Sequence, residues 1–159
     1  MSDTVLTTQT TPWGDEELRR RNRATIEKYF AMGGNRTGRH LLFAEDGAGG
    51  LYTTDTGEPI QSVGHEALAA ADEWNNTYFS DWSWSNVEIF ETQDPNRFWV
   101  ECDGGGVVHF TAYPAGRYEN HYIHSFQMND GLIQTYWEYM NPCSEMRALG
   151  IEVPRVERG

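Results

Sequence analysis

Apolar residues recur with a helical period in the first half of the chain and with a period near two in the second half. Between residues 15 and 32, Leu18, Ile26 and Phe30 lie near helical spacing, with acidic residues at the start and Gly33-Gly34 at the end. Acidic side chains suit the positive end of the helix dipole, and glycine often follows the last helical residue. The pattern therefore predicts a first helix over this segment.

Three further helices follow from the same kind of pattern. A short one is predicted over residues 39–43 and is expected to stop at Asp46-Gly47. A longer one runs from about residue 65 to residue 79, and a last one covers residues 142–149. Gly150 is well suited to end it, since glycine adopts the left-handed conformation that closes many helices.

Strand-like segments fill the rest of the chain. A small hairpin is predicted over residues 49–60, around Asp55-Thr56-Gly57. The downstream β-rich segments are 83–91, 97–103, 106–113, 119–128 and 132–140. Their separators resemble hairpin turns, among them Gly104-Gly105-Gly106 and Pro114-Ala115-Gly116. Strands joined by such short turns pair antiparallel.

Helices first and strands second is the order of an α+β fold. The simplest way to bury both layers is a cone, in which a curved antiparallel sheet wraps around the N-terminal helices and leaves a pocket at its open end. We expect residues 1–12, which are polar and rich in threonine, to form a flexible tail and residues 13–159 to form one domain. The outer sheet face would need a cover, and the aromatic segment Asp81-Trp82-Ser83-Trp84 suggests that the cover is a second subunit.

The composition limits the classes of molecule that this protein is expected to bind. Aromatic residues make up 13% of the chain, enough to line a core or a pocket for a flat ligand. The formal net charge of −12 argues against nucleic acid and anionic membranes, because such a surface repels phosphate groups. No apolar run approaches the roughly 20 residues of a membrane span, and no export signal begins the sequence. A cytoplasmic location is expected.

Glu138 is the first candidate for chemistry. It lies in the last predicted strand, where Tyr136, Glu138 and Met140 share one face because strand side chains alternate. If that face is the concave one, burial among aromatic rings raises the pKa of the carboxyl group and makes it a general acid near neutral pH. The alternative is a solvated glutamate on the outer face.

Arg39 and the histidines supply the other candidates. The planar guanidinium of Arg39 matches a carboxylate, although an ordinary surface cation is the alternative. His121 and His124 are three residues apart on a strand and therefore point to opposite faces, so no metal site is expected. His124 is interpreted as a core or pocket-wall residue. His109 shares a strand face with Thr111, and its role stays open.

Six segments, taken together and in order, resemble the PhzA/PhzB family of phenazine biosynthesis, and the resemblance runs from about Glu17 to Glu157. The segments are RHLLFAEDG from Arg39, IFETQDPN from Ile89, FWVECDG from Phe98, NHYIHSF from Asn120, EYMNP from Glu138 and LGIEVP from Leu149. Any one of these strings is weak, but six at matching spacing are specific.

The resemblance implies a small dimeric NTF2-like protein that needs no cofactor. Its substrate would be 6-amino-5-oxocyclohex-2-ene-1-carboxylate, of which two molecules condense. Each amine attacks the other molecule's ketone, and loss of two waters closes the central ring of the tricyclic phenazine precursor. A dry pocket would contribute by holding the two molecules in opposite orientations, and by protonating the departing oxygen.

The same resemblance assigns roles to residues of this chain. It implies that Glu138 is the acid and that Arg39 lies near a substrate carboxylate. Active members carry a pocket histidine in the third predicted helix, and this chain has Ala71 at the matching position, as the PhzA type of the family does. His109 is a conceivable substitute. Further contacts to the substrate are expected from Asn75, Tyr78, Tyr136 and His124.

Three functions stay open at this point. The first is an enzyme of phenazine formation, slowed by the absence of the histidine. The second is a silent partner that binds the ligand or pairs with an active paralogue, so that the dimer is a homodimer or a heterodimer. The third is an isomerase or dehydratase on the same scaffold, which would need an inward aspartate, and none stands out in the sequence.

Overall fold

The computed structural model describes residues 6–8 and 13–159. The described chain forms three α-helices, one 3-10 helix and seven strands, and the helices and strands alternate irregularly. In chain order they are β1 Leu6–Thr8, α1 Glu16–Ala31, the 3-10 helix Arg39–Leu42, β2 Phe43–Leu51, β3 Ile60–Val63, α2 His65–Tyr78, β4 Phe79–Glu91, β5 Arg97–Val108, β6 Gly116–Asn129, β7 Leu132–Tyr139 and α3 Pro142–Ala148.

The seven strands form one curved, unclosed sheet in the order β1-β4-β5-β6-β7-β2-β3. The four long strands β4 to β7 are consecutive and antiparallel, as their short connections predict. Strand β2 joins β7 in parallel, and β1 joins β4 in parallel. The α+β class and the cone are therefore confirmed, but the sheet is mixed rather than purely antiparallel. Strand β2 precedes α2 in the chain, yet it pairs with β7, the last strand. The sequence pattern gives no indication of this long-range pairing.

Buried polar side chains fasten helix α1 to the loop between β4 and β5. Arg19, which is 3% exposed, donates hydrogen bonds to the carbonyl oxygens of Gly14, Thr92 and Gln93 at 2.7, 2.7 and 3.0 Å. One turn further on, Asn22 donates to the carbonyl oxygen of Pro95 at 2.8 Å. These bonds satisfy groups that would be costly to bury alone, and they fix the helix against the sheet.

The apolar face of α1 packs against the inner faces of β6 and β7. The Tyr29 ring lies 5.7 Å from Phe126 and 5.0 Å from Tyr136, and Phe30 lies 5.5 Å from Trp84 on β4. Such tilted and edge-on arrangements are favourable for aromatic pairs. The predicted first helix is thus confirmed, and it lines the interior cavity together with α2, the β2–β3 hairpin and α3.

Gly104-Gly105-Gly106 is not a turn, contrary to the prediction from sequence. These glycines lie inside β5, which runs unbroken from Arg97 to Val108 and pairs with both β4 and β6. The rings of Trp82 and Trp84 occupy the space beside Gly104, where a Cβ atom would come within 2.7 Å of each ring. Glycine is present here because of close packing, which sequence alone does not distinguish from a turn.

Two further expectations need correction. Trp82 and Trp84 do not lie on the outer face, because both are buried, with 7% and 4% exposure, and both line the interior cavity. The short helix also ends earlier than predicted, since β2 begins at Phe43 rather than after Asp46-Gly47. Ala48 to Leu51 pair with Ile60 to Val63, which confirms the predicted hairpin.

The predicted flexible tail lies mostly outside the described residues. Within it the structure describes only Leu6–Thr8, as strand β1 beside Val87 to Ile89. No helix in the described part of the chain has both the length and the apolar character to cross a membrane.

Candidate functional site

The open end of the cone holds a cavity of about 540 Å³, within the usual range for small-molecule sites. Its walls combine aromatic rings from the sheet and α1 with polar groups from the helices. The lining residues used below are Tyr29, Arg36, Arg39, Asp55, Ala71, Asp72, Asn75, Trp82, Trp84, Tyr118, Tyr122, Tyr136, Glu138, Met140 and Glu145. The cavity therefore offers a flat apolar space with a few charged groups at fixed places.

Glu138 projects into this cavity from β7, together with Tyr136 and Met140. Strand alternation therefore puts the carboxyl group on the concave side, the arrangement that a buried acid requires. The side chain keeps 24% of its surface accessible. Burial raises the pKa of Glu138, while the hydrogen bond from Tyr136 and the positive charges of Arg39 and Arg36 oppose the rise. Burial is the largest of these effects, so the group holds its proton to a higher pH than an ordinary glutamate.

Two neighbours contact the carboxyl group directly. The Tyr136 hydroxyl donates a hydrogen bond of 2.7 Å to Oε2 of Glu138. His124, on the adjacent strand β6, places Nε2 at 3.6 Å from the same oxygen. His124 is completely buried, and burial lowers its pKa to about 3, so the ring is neutral at physiological pH. The carboxyl group thus lies between a phenol and an uncharged imidazole.

Arg39 is the principal cation of the cavity, and it already has a carboxylate partner. Its Nε and Nη2 atoms donate hydrogen bonds of 3.0 and 2.6 Å to Oδ1 of Asp72 on α2. The guanidinium carbon also lies 4.5 Å from the centre of the Tyr29 ring, a cation–π arrangement. Burial raises the pKa of Asp72, and Arg39 opposes the rise. The 3-10 helix and α2 are therefore joined across the cavity wall by an ion pair.

A second acidic group lies in the wall on helix α3. Glu145 has its pKa raised to about 6, by burial first and then by the charges of Asp55 and Glu138. Asn141 starts this helix by accepting a hydrogen bond of 3.0 Å from the backbone N–H of Cys143. The first turn of α3, where Glu145 lies, is thereby stabilised.

Comparison with known proteins gives the family. Residues 8–159 match the family described as phenazine biosynthesis protein A/B. The chain is also 54% identical to phenazine biosynthesis protein PhzA1 of Pseudomonas aeruginosa over 149 residues, covering 93% of this chain and 92% of the relative. The chain belongs to the phenazine biosynthesis protein A/B family.

Solved structures agree with this assignment. A crystal structure of a phenazine biosynthesis-related protein from Pseudomonas aeruginosa has a TM-score of 0.87 and 52% identity, covering 89% of this chain and 93% of that one. An NTF2-like protein from Burkholderia xenovorans has a TM-score of 0.64 at 19% identity, covering 82% and 96%. The second likeness concerns the fold alone, and it confirms the NTF2-like architecture that the resemblance implied.

The part of the cavity wall that α2 provides includes Ala71 and Asn75. Both line the cavity, one helical turn apart on α2, and the side-chain amide of Asn75 donates a hydrogen bond of 2.9 Å to the carbonyl oxygen of Ala71. The position where the resemblance implies a pocket histidine therefore faces the cavity, and it holds the methyl group of Ala71.

Three other residues singled out from the sequence lie elsewhere. Tyr78, His109 and His124 are not among the described residues that line the cavity. Tyr78 packs against Trp74 at 5.1 Å, and His109 follows the end of β5 with its backbone N–H bonded to the carbonyl oxygen of Tyr78. His124 lies behind Glu138 rather than in the wall. The structure does not bring His109 to the acid.

Asp72 is an aspartate that faces the cavity, and it was not identified from the sequence. Asp72 follows the buried Leu68 by four residues and so shares its helical face. That spacing was a usable signal, but an aspartate on a helix is usually solvated. Because Asp72 is bound to Arg39, the pair does not resemble the free base that an isomerase would require.

The remaining histidine on β6 belongs to the outer surface. His121 bonds through Nδ1 to Asp103 at 2.7 Å and through Nε2 to Glu101 at 2.8 Å, and these contacts raise its pKa. It thus points away from His124, as strand alternation predicts. In the part of the chain that the structure describes, no three His, Cys, Asp or Glu side chains are arranged to hold a metal ion.

Proposed function

We propose that this protein promotes the condensation of two molecules of 6-amino-5-oxocyclohex-2-ene-1-carboxylate into the tricyclic phenazine precursor, with Glu138 as the general acid. A role in phenazine biosynthesis follows from its family. The observation that carries the proposal is the partly buried carboxyl group of Glu138, which faces an aromatic cavity and has a raised pKa. A protonated acid in a dry, flat site suits the loss of water from an amine–ketone adduct.

Each of the two amine–ketone condensations needs only one group, Glu138, to give and take back a proton. The amine of one molecule adds to the ketone carbon of the other, and a proton moves from nitrogen to oxygen to give a carbinolamine. Glu138 protonates the hydroxyl group, which departs as water while the nitrogen lone pair forms the C=N bond. The iminium nitrogen then returns its proton to the Glu138 carboxylate. Two such steps join the two molecules and release two waters.

The other cavity groups would orient the substrates. Arg39 and Arg36 are the guanidinium groups of the wall, and a guanidinium matches the substrate carboxylate. The rings of Trp82, Trp84 and Tyr122 provide flat surfaces against which six-membered rings can pack. Holding two reactants together can supply a large part of the acceleration by itself. These roles are consistent with an acid, Glu138, that faces a cavity with many aromatic rings.

The decisive experiment compares tricyclic product formed from enzymatically generated amino ketone. Wild type, Glu138→Gln and a matched control, Glu88→Gln on the exposed face of β4, are measured beside an empty reaction. We expect wild type and Glu88→Gln to exceed the empty reaction equally, and Glu138→Gln to lose roughly 10²-fold or more of that gain. Equal rates for wild type and Glu138→Gln would contradict the assignment of the acid.

A silent-partner function is the second candidate, because Ala71 lacks a proton-carrying group and Arg39 is already bound to Asp72. In this case no variant would exceed the spontaneous reaction, and the protein would co-purify with an active paralogue. Rates measured with and without that paralogue separate the two functions.

Dimerisation and a cytoplasmic location stay predictions. The outer sheet face supports a dimer through a continuous aromatic stripe, in which Tyr139 lies 5.0 Å from Tyr52 and 6.4 Å from Trp99. Exposed aromatic groups of this kind often mark a protein interface. Sedimentation equilibrium of wild type and Trp99→Glu tests it: the substitution should yield monomers, and a wild-type monomer would contradict it.

A further inference from the structure

The Arg39–Asp72 pair changes what the cavity can bind. A guanidinium has two edges that can each hold a carboxylate, and Asp72 takes the one formed by Nε and Nη2. Both side chains are nearly buried, with 11% and 7% exposure. A ligand carboxylate must therefore use the remaining edge of Arg39, formed by Nη1 and Nη2, or displace Asp72. In either case it meets a guanidinium whose charge is already balanced.

The charges around Glu138 determine whether a ligand carboxylate is favoured or disfavoured in the cavity. The charges of Arg39 and Arg36 act on Glu138, and Asp72 forms an ion pair with Arg39. With Glu138 ionised, the carboxylates of Glu138 and Asp72 already balance the two guanidiniums, and Glu145 adds a further negative charge when it ionises. A ligand carboxylate would then add an unbalanced negative charge to a buried site, which is strongly unfavourable. A proton on Glu138 restores the balance.

The other titratable neighbours of Glu138 do not supply the missing positive charge. Burial raises the pKa values of Tyr29, Tyr118, Tyr122, Tyr136 and Cys102, so all of these groups stay neutral. His124 is neutral because burial lowers its pKa to about 3. Glu145, whose pKa is raised to about 6, adds no positive charge, but it is a second carboxyl group of the cavity that can take up a proton. We assign the proton to Glu138 because the charges of Arg39 and Arg36 act on it, and Glu145→Gln, titrated beside Glu138→Gln, distinguishes the two carboxyl groups.

We propose that Asp72 determines the ligand specificity of this cavity: by balancing Arg39, it makes a carboxylate ligand bind together with a proton on Glu138. The inference deepens the proposed function and rests on it for the carboxylate nature of the ligand. As a consequence, binding of the substrate is coupled to protonation of Glu138, and the reaction then uses this proton. Asp72 acts through Arg39 and Glu138, so it is a specificity-determining residue rather than a catalytic one.

Removing the charge of Asp72 should reverse this coupling. In Asp72→Asn, Arg39 has an unbalanced positive charge, and a ligand carboxylate neutralises it while Glu138 stays ionised. Binding should then be tighter and independent of proton uptake. In Glu138→Gln the acid cannot ionise, so proton uptake should vanish there too, although Asp72 is intact.

Calorimetric titration with 2-aminobenzoate tests the proposal. This probe combines a six-membered ring, an amine and an adjacent carboxylate, and 2-aminobenzamide is its neutral counterpart. Titrations at neutral pH in two buffers of different ionisation enthalpy count the protons taken up, and a pH series gives the affinity. For wild type we expect net proton uptake and an affinity that falls by up to about tenfold per pH unit on the alkaline side.

The variants give the discriminating results. Asp72→Asn should bind 2-aminobenzoate about tenfold tighter at neutral pH or better, without proton uptake, and should bind 2-aminobenzamide like wild type. Glu88→Gln should behave as wild type with both probes. Unchanged affinity in Asp72→Asn, or proton uptake that persists in Glu138→Gln, would overturn the proposal. If Asp72→Asn does not fold, Glu138→Gln alone decides.

Failure of this inference is distinguishable from failure of the proposed function. Proton-linked binding without turnover leaves the specificity role of Asp72 intact and rejects catalysis. Turnover that depends on Glu138, with binding that takes up no proton, rejects the role of Asp72 and leaves the catalytic proposal standing. No detectable binding of 2-aminobenzoate to any variant also overturns the inference.

Discussion

The hydroxyl group of Tyr136 donates a 2.7 Å hydrogen bond to Oε2 of Glu138, two residues further along the same face of β7. A donor of this kind stabilises the ionised carboxylate more than the protonated acid. Tyr136 therefore opposes the effect of burial on the pKa of Glu138. The strand thus contains both the proposed acid and a group that limits how strongly the acid holds its proton.

Tyr136→Phe tests this relationship, since it removes the donor and keeps the ring. We expect the pKa of Glu138 to rise further, so that the alkaline limb of the pH–rate profile for product formation moves to higher pH. Tyr139→Phe, on the opposite face of β7, is the matched control and should leave the profile in place. A limb that moves to lower pH, or does not move, would show that Tyr136 does not tune the acid.

Ala71→His would place an imidazole where the family resemblance implies a pocket histidine. The position faces Asn75 and the cavity interior, so an imidazole there can reach the reacting groups. A positioned acid–base group typically contributes about 10²–10⁴-fold, and we expect at least a tenfold increase in the rate of product formation. Ala70→His, on the exposed side of the same helix, controls for the added imidazole. Equal rates for both variants would mean that proton transfer at this position does not limit the reaction.

Much of the fold follows from local patterns. Helix α1 has its apolar period, its acidic start and its glycine end in the sequence, and strands β4 to β7 have period-two patterns with short connections. The sharing of a face by Tyr136, Glu138 and Met140 needs only the alternation of a strand. Features encoded within one element are therefore predictable from that element.

Features that depend on two distant segments were missed or misassigned. Gly104 looks like a turn residue, and only the rings of Trp82 and Trp84, brought in by β4, explain it. Arg19 and Asn22 interrupt the apolar pattern of α1 because their partners lie on the loop after β4. Asp72 becomes an inward group only when Arg39 lies opposite. In each case the deciding contact joins residues far apart in the chain.

Gly104→Ala should destabilise the protein because its Cβ atom would lie 2.7 Å from the rings of both Trp82 and Trp84. The two rigid indole rings also pack on each other at 5.3 Å, so both would have to shift, and overpacking of this kind costs about 1–3 kcal/mol. Gly105→Ala is the matched control, since its Cβ would meet Nη2 of Arg117 and Cγ of Glu119 at 3.1 and 3.2 Å, both on exposed, flexible side chains that can move aside. Urea unfolding of both variants checks the difference. Equal midpoints would contradict the close-packing explanation of Gly104.

His124 should make the protein sensitive to acid. Its ring is fully buried, and among the described residues its nitrogens have no hydrogen-bond partner, although Nε2 lies 3.6 Å from Glu138. Burial lowers its pKa from 6.5 to about 3. The unfolded chain therefore binds a proton below about pH 6.5, whereas the folded chain does not bind one until about pH 3. As pH falls through this window, the free energy of unfolding therefore decreases by up to about 1.4 kcal/mol per pH unit.

His124→Phe removes that titration and suits the surrounding rings, which include Phe30 at 5.0 Å and Trp84 at 5.1 Å. Urea unfolding across the window should show a smaller loss of stability with falling pH than in wild type. His121→Gln is a control of opposite sign: the pKa of His121 is raised by its bonds to Asp103 and Glu101, so its stabilisation is present at low pH and is lost as pH rises through that raised pKa. If wild type and His124→Phe lose stability in parallel below about pH 6.5, the buried imidazole is not the source of the acid sensitivity.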